Sequence, residues 1–173
     1  MHIVYRMLRP ADASSYRSVR LDCLRRFPGH FGSSYDEELA TPKLKFEAII
    51  EKGSGDEFML GALLGERLIA IAGLTRDGRR KARHCGEIVQ MYVDPAHRGQ
   101  KVGETLLRRV IESAFRMEGI EHLDLGVVTD NAAATKLYES VGFETCGVKR
   151  RHFKDGDGYR DQRLMQLFKD RYR

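Results

Sequence analysis

This chain predicts an α/β fold: a mixed, mostly antiparallel twisted sheet flanked by helices on both faces. Three observations carry that expectation. Short apolar runs follow one another at 58–64, 68–74 and 86–93, separated by glycine-bearing connections that suit antiparallel neighbours. A long amphipathic helix pattern separates the third run from another at 122–128, and a strand, helix, strand passage joins parallel strands. With 173 residues, 42% hydrophobic and 32% charged, the chain can bury one good core and reads as a single domain over 1–173.

The elements follow in order. Residues 3–8 read as a strand, and Asp12 is the expected N-cap of a helix whose Tyr16, Val19, Cys23, Leu24 and Phe27 share a core-facing side. A loop from Pro28 to Asp36 leads to a short helix with Thr41 as N-cap and Pro42 in its first turn, carrying Leu44, Ile49 and Ile50. Phe58–Leu64 and Leu68–Leu74 are strands joined tightly through Gly65-Glu66-Arg67, and Gly86–Val93 follows a basic turn. The helix from about Gly99 to Met117 aligns Val102, Leu106, Leu107, Val110, Ile111, Ala114 and Phe115 on one stripe, with Glu104, Arg108, Arg109, Glu112 and Arg116 opposite. His122–Val128 is a strand, Asn131–Val141 a short helix stopped at Gly142, and two final strands flank Asp155-Gly156-Asp157-Gly158.

Composition narrows the function classes. No apolar stretch approaches the roughly 18 residues of a membrane helix, and Met1-His2-Ile3-Val4-Tyr5-Arg6 lacks a secretory leader pattern, so a cytoplasmic protein without a membrane partner is expected. The three cysteines, Cys23, Cys85 and Cys146, are odd in number and far apart, which fits reduced thiols packed as small apolar residues. No metal is expected: Cys85 follows His84, but adjacent residues on a strand point to opposite faces. The net charge of +5 permits anionic ligands. Nucleic acid is not the expected partner, because Arg79-Arg80-Lys81 with Arg83, and Lys149-Arg150-Arg151, read as solvated charge and no recognition motif accompanies them.

The most informative segment is Asp94-Pro95-Ala96-His97-Arg98-Gly99-Gln100-Lys101-Val102-Gly103, which links the strand ending at Val93 to the long helix. A helix start carries unpaired N–H donors and a partial positive charge, and a glycine-bearing turn admits an anion to the backbone. Arg98 adds a side-chain clamp, so a phosphate-bearing cofactor is expected here. Neither G-x-G-x-x-G nor G-x-x-x-x-G-K-[ST] occurs, which removes the usual dinucleotide and triphosphate loops.

Arg98-x-x-Lys101-x-Gly103 at the helix start, followed by Asn131-x-x-Ala134-x-x-Leu137-Tyr138-x-x-x-Gly142-Phe143, resembles the GNAT family of acetyl-CoA-dependent N-acetyltransferases. The likeness extends over most of the chain and its element order, and it implies the acyl-CoA N-acyltransferase fold. Lys101 stands where the family's first glycine usually stands, and it can still present its amide if its φ is ordinary.

The resemblance assigns roles residue by residue. Backbone amides of Arg98, Gly99, Gln100, Lys101, Val102, Gly103 and Glu104 would hold the pyrophosphate of acetyl-CoA, in agreement with the helix-terminus argument. The pantetheine arm would lie beside Met91 and Val93 like an added strand. Asn131, with Ala134 in the same block, would contact the pantetheine amides, although Asn131 also reads as a helix N-cap. Tyr138 would protonate the departing thiolate, against a plain core role on the stripe of Ala134, Leu137, Tyr138 and Val141. Glu87 would act as general base through water, against a strand-end charge that faces solvent or pairs with a neighbour such as Arg83; His84 is a weaker alternative. The loop Phe27–Glu38, with Asp36, Glu37 and Glu38, would line the acceptor pocket, or its acids are solvated. The implied reaction is direct acetyl transfer to a primary amine, on a small molecule or a peptide N-terminus, in a ternary complex. The alternative is a non-catalytic CoA-sensing module on the same fold. Family members often form dimers, and a homodimer is expected with them.

Overall fold

The apolar runs become strands β1 (Ile3–Met7), β2 (Phe58–Leu64), β3 (Arg67–Arg76), β4 (Cys85–Val93), β5 (His122–Val128), β6 (Glu144–Asp155) and β7 (Gly158–Phe168) in a computed structural model. The structure describes residues 2–53 and 55–172; Met1, which heads the stretch read for a leader, lies outside the described residues, as do residues 54 and 173. The strands form one sheet in the order β1-β2-β3-β4-β5-β7-β6, antiparallel throughout except for the parallel β4–β5 pair. That exception follows from the helical crossover between β4 and β5, which brings the chain back to the end it left.

Helix α1 (Ala13–Arg26), α2 (Tyr35–Ala40) and α3 (Lys45–Lys52) cover one face; α4 (Val102–Arg116) covers the other, and α5 (Ala132–Ser140) adds Tyr138 to the α4 layer. All seven apolar residues predicted on the α4 stripe are buried. They pack on Leu60, Ala72, Ile88, Leu123 and Leu125 in one cluster, while Tyr16, Cys23, Phe46, Met59, Ile71 and Tyr92 form a second cluster on the opposite face. The antiparallel β6–β7 pair ends the sheet, and β6 is an edge strand.

Several local expectations are corrected. The Thr41-capped helix does not form. Ser34 starts α2 instead, through a capping box in which its Oγ accepts from the Glu37 N–H and the Glu37 carboxylate accepts from the Ser34 N–H. Thr41 closes that helix, its N–H bonding the carbonyls of Glu37 and Glu38, and α3 starts beyond Pro42 with the Glu47 carboxylate accepting from the Leu44 N–H at 2.7 Å. Asp12 precedes α1 without a side-chain cap, because its carboxylate binds the Arg6 guanidinium at 2.6 and 2.9 Å and the Arg9 N–H at 2.7 Å. Cys23 is buried, but Cys146 is exposed on β6 rather than packed as a small apolar residue.

Lys101 also departs from expectation. Its φ is +60°, in the left-handed region, and it occupies the N-cap of α4. The turn reverses sharply there and two residues earlier at Gly99, whose φ is +75°. A Cβ in that conformation costs about 1 kcal/mol, more than the entropy glycine loses on folding where the conformation already demands it. Lys101→Gly is expected to stabilise the fold by about 0.5–1 kcal/mol, read as a rise in the thermal midpoint of roughly 1–4 °C.

Candidate active site

The central feature is a parting of two strands. β4 and β5 pair at Cys85–His122, Gly86–Leu123 and Glu87–Asp124 and then diverge. The divergence coincides with a bulge: the β3–β4 register shifts between Ile71 and Gly73, and Gln90 takes a φ of +54°. Before the bulge Ile88 faces the α4 layer and Val89 the α1 layer; after it Met91 and Val93 face α4 and Tyr92 faces α1. The extra residue therefore flips the alternation and bends β4 away from β5. The Gln90 side chain is tied down by the Tyr16 hydroxyl, which donates to Oε1 at 2.8 Å.

A cleft of about 990 Å³ fills the parting, bounded by residues 88–93 on one strand and 126–128 on the other. Met91, Val93, Arg98, Gly99, Lys101, Val102, Gly103, Glu104, Asn131, Ala134, Tyr138 and Glu87 all line it. Gln100 does not; its side-chain amide turns back to the Ala96 carbonyl at 3.3 Å. One end of the cleft is lined by the first residues of α4, whose N–H groups no preceding turn of helix can satisfy, together with Gly99 and Arg98. No heavy atom outside the adjoining residues lies within 4 Å of where a Gly99 Cβ would stand. Arg98 stacks over Phe27, 4.4 Å from the ring centroid, and its Nε donates to the Val93 carbonyl at 3.2 Å. His97 adds a buried Nδ1 that has no hydrogen-bond partner among the described residues. A polyanion with a narrow, partly apolar extension fits this end.

Asn131 caps α5, its Oδ1 accepting from the Ala134 N–H at 3.2 Å, while its Nδ2 sits 3.5 Å from His30 Nδ1. Tyr138 is buried against Phe143 and still reaches the cleft wall. Burial alone pushes its phenol well above the ordinary range, so it stays protonated at neutral pH. Glu87 lies where the strands begin to part. Burial raises its carboxyl, and the neighbouring Asp124 charge raises it further against Lys149 and Lys45. Its residue surface is exposed through the open cleft, so water screens part of that shift. Arg83 does not pair with Glu87; it joins Arg76 on Asp56, at a separate hollow of about 530 Å³ beyond the sheet end.

The loop 27–38 contributes Phe27, His30, Phe31, Gly32 and Ser33 to the cleft, but not its acids. Glu37 belongs to the capping box, and Glu38 forms a two-point ion pair with Arg20, at 2.9 Å to Nε and 2.7 Å to Nη2. Arg20 is itself unforeseen: it is 2% exposed, stacks on Phe31, lines the cleft, and keeps Nη1 without a hydrogen-bond partner. A charge one turn from Tyr16 and one turn from Leu24 on an apolar stripe was the available signal. His152 and Phe153 of β6 and Gln162 of β7 complete the wall, and no local pattern marks them.

His84 and Cys85 do not point apart. His84 lies in the turn before β4, where strand alternation does not apply, and ligand atoms of His84, Cys85 and His122 all lie within 4.8 Å of one another.

Comparison with known proteins agrees with this architecture. Over 104 residues, 60% of this chain and 63% of the relative, the sequence is 38% identical to the N-alpha-acetyltransferase RimI of Mycobacterium tuberculosis, so the chain spans less than two thirds of that relative's length. It is 33% identical over 110 residues to the [Ribosomal protein bS18]-alanine N-acetyltransferase of Escherichia coli, covering 60% of this chain and 73% of that enzyme. The structure superposes on an acetyltransferase of the GNAT family from Streptococcus pneumoniae with a TM-score of 0.83 and 25% identity, covering 96% of this chain and 99% of the other. A putative acetyltransferase from Salmonella typhimurium, solved with acetyl-CoA, shares the fold at a TM-score of 0.80 and 22% identity over 100% of this chain and 97% of that one. Residues 18–143 match the Acetyltransferase (GNAT) family, and the chain belongs to that family.

Proposed function

We propose that the chain transfers the acetyl group of acetyl-CoA directly to the primary amine of a peptide N-terminus. The observation that carries this reading is the continuity of one cleft, which joins the anion-binding start of α4 to Tyr138 and Glu87 and then to Arg20. The M. tuberculosis and E. coli relatives, named for N-alpha-acetylation and for N-acetylation of an alanine of ribosomal protein bS18, favour a peptide over other amines.

Acetyl-CoA, when bound, supplies an activated thioester. The α4 amides and Arg98 would hold its phosphates, the unpaired His97 Nδ1 lies in the same wall, and Met91, Val93 and Leu137 flank the arm. Tyr138, held protonated by burial, donates to the leaving sulfur. Glu87 takes the amine proton through water; a raised carboxyl pKa makes it a better base than an ordinary glutamate. Much of the rate comes from holding amine and thioester together.

Thiol release from acetyl-CoA is the direct test, across short peptides with free or blocked N-termini, polyamines, amino acids and aminoglycosides. Release with free N-terminal peptides alone supports the proposal; release only with another amine class overturns the acceptor, and CoA binding without release under any acceptor favours the sensing module. Tyr138→Phe keeps the ring packing and is expected to lower kcat by about 10²-fold with little change in acetyl-CoA affinity. An unchanged kcat across pH refutes the donor role. Parent activity should fall as pH drops through the Glu87 pKa, at a higher pH than an ordinary carboxylate would set, because only the ionised form accepts a proton. Glu87→Gln is expected to flatten that acid limb and cost roughly 10²-fold in kcat; a retained limb assigns the base elsewhere.

A further inference from the structure

We propose that His84, Cys85 and His122 form a site for a borderline-soft divalent cation such as Zn²⁺, at the closed root of the β4–β5 fork. Their ligand atoms lie within 4.8 Å of one another, and all three side chains are half-buried. Two imidazoles and one thiol select zinc, cobalt or nickel over magnesium and calcium, which take oxygen. Tetrahedral zinc with bonds of roughly 2.0–2.3 Å needs ligand atoms about 3.4–3.7 Å apart, a closure within reach of side-chain rotation.

The backbone already holds the three residues together. Cys85 and His122 are directly paired across parallel strands, so their side chains share a face. The His84 carbonyl accepts from the N–H groups of Glu121 at 2.9 Å and His122 at 3.4 Å, which fastens the turn before β4 to the start of β5. The two imidazole rings meet edge to face with centroids 5.3 Å apart, and Phe168 backs His122 at 5.3 Å. Asp124 Oδ2 lies 3.6 Å from His122 Nε2, and its other oxygen accepts from Gln166 Nε2 at 2.9 Å. A fixed carboxylate beside an imidazole orients the ring and supports metal binding through its other nitrogen. The competing account of the cluster is aromatic packing of two neutral histidines against Phe168, which predicts no metal affinity.

Co²⁺ replaces zinc in such sites and reports thiolate ligation by a sulfur-to-metal charge-transfer band. The full chain, reduced and stripped of metal, is titrated with Co²⁺ and then with Zn²⁺. One equivalent of Co²⁺ with that band, displaced by Zn²⁺, is expected in the parent and in Cys146→Ser. Cys85→Ser should lose the band, and His122→Gln should weaken binding at least about 10-fold, with Asp124→Asn weakening it roughly 10- to 100-fold. Far-UV circular dichroism checks each variant, and the parent titration stands alone if Cys85→Ser does not fold. No stoichiometric Co²⁺ or Zn²⁺ binding by the parent overturns the proposal, as does a band that survives Cys85→Ser or vanishes in Cys146→Ser.

Discussion

Three paired residues followed by separation is the constraint on which the rest depends. β4 and β5 share a register only from Cys85 to Glu87, and the bulge at Gln90 then turns β4 aside. Had the pairing run on to Val93, the backbone groups of both strands would satisfy one another and the 990 Å³ cleft would close. The bulge is secured from the α1 layer by the Tyr16 hydroxyl on Gln90, so a buried helix residue helps to hold the two strands apart. The parallel crossover adds the second requirement. It sends the chain from Val93 through the Asp94–Lys101 turn into α4, and so delivers a helix N-terminus to the mouth of the opening.

That turn contains two left-handed residues within three positions, Gly99 and Lys101. Glycine adopts the conformation freely, whereas lysine holds it because the surrounding structure over-determines it. Val102 buries its side chain immediately afterwards, Asp94 caps the preceding 3₁₀ turn at the Ala96 N–H and binds Arg67 at 2.7 Å, and Arg98 is pinned between Phe27 and the Val93 carbonyl. The strained step is thus clamped on both sides at the wall of the cleft.

Charge is distributed with similar economy. Glu38 and Glu47 are engaged by Arg20 and Arg17, each at 2.7 Å, and fasten α1 to α2 and α3, while Asp12 is engaged by Arg6 of β1 at 2.6 Å. The Arg20–Glu38 pair is buried, and a buried pair contributes little net stability, but breaking it leaves a costly unpaired charge. Arg20 joins this layer to the cleft, since it lines the cleft wall while Glu38 holds its Nε and Nη2.

Local periodicity and end signals make much of this fold readable from the chain alone. The α4 stripe, the limits of β2 and β5, the Asn131 cap of α5 and the parallel pair were all legible, because a 3.6-residue apolar repeat and a polar cap are properties of neighbouring residues. Most residues of the candidate cofactor end were legible for the same reason, being contiguous from Arg98 to Glu104. The start of α3 was misread because Thr41-Pro42 resembles a helix opening, while Ser34-x-x-Glu37 upstream had already opened one that Thr41 terminates. Other features arise from packing between segments far apart in the chain. Gln90's positive φ, the partnership of Arg20 with Glu38, the approach of His152, Phe153 and Gln162, and the meeting of His84 and Cys85 with His122 all join segments distant along the chain. Such contacts are set by strand order and register, which no local repeat encodes, because pairing depends on how the whole sheet closes over its two cores.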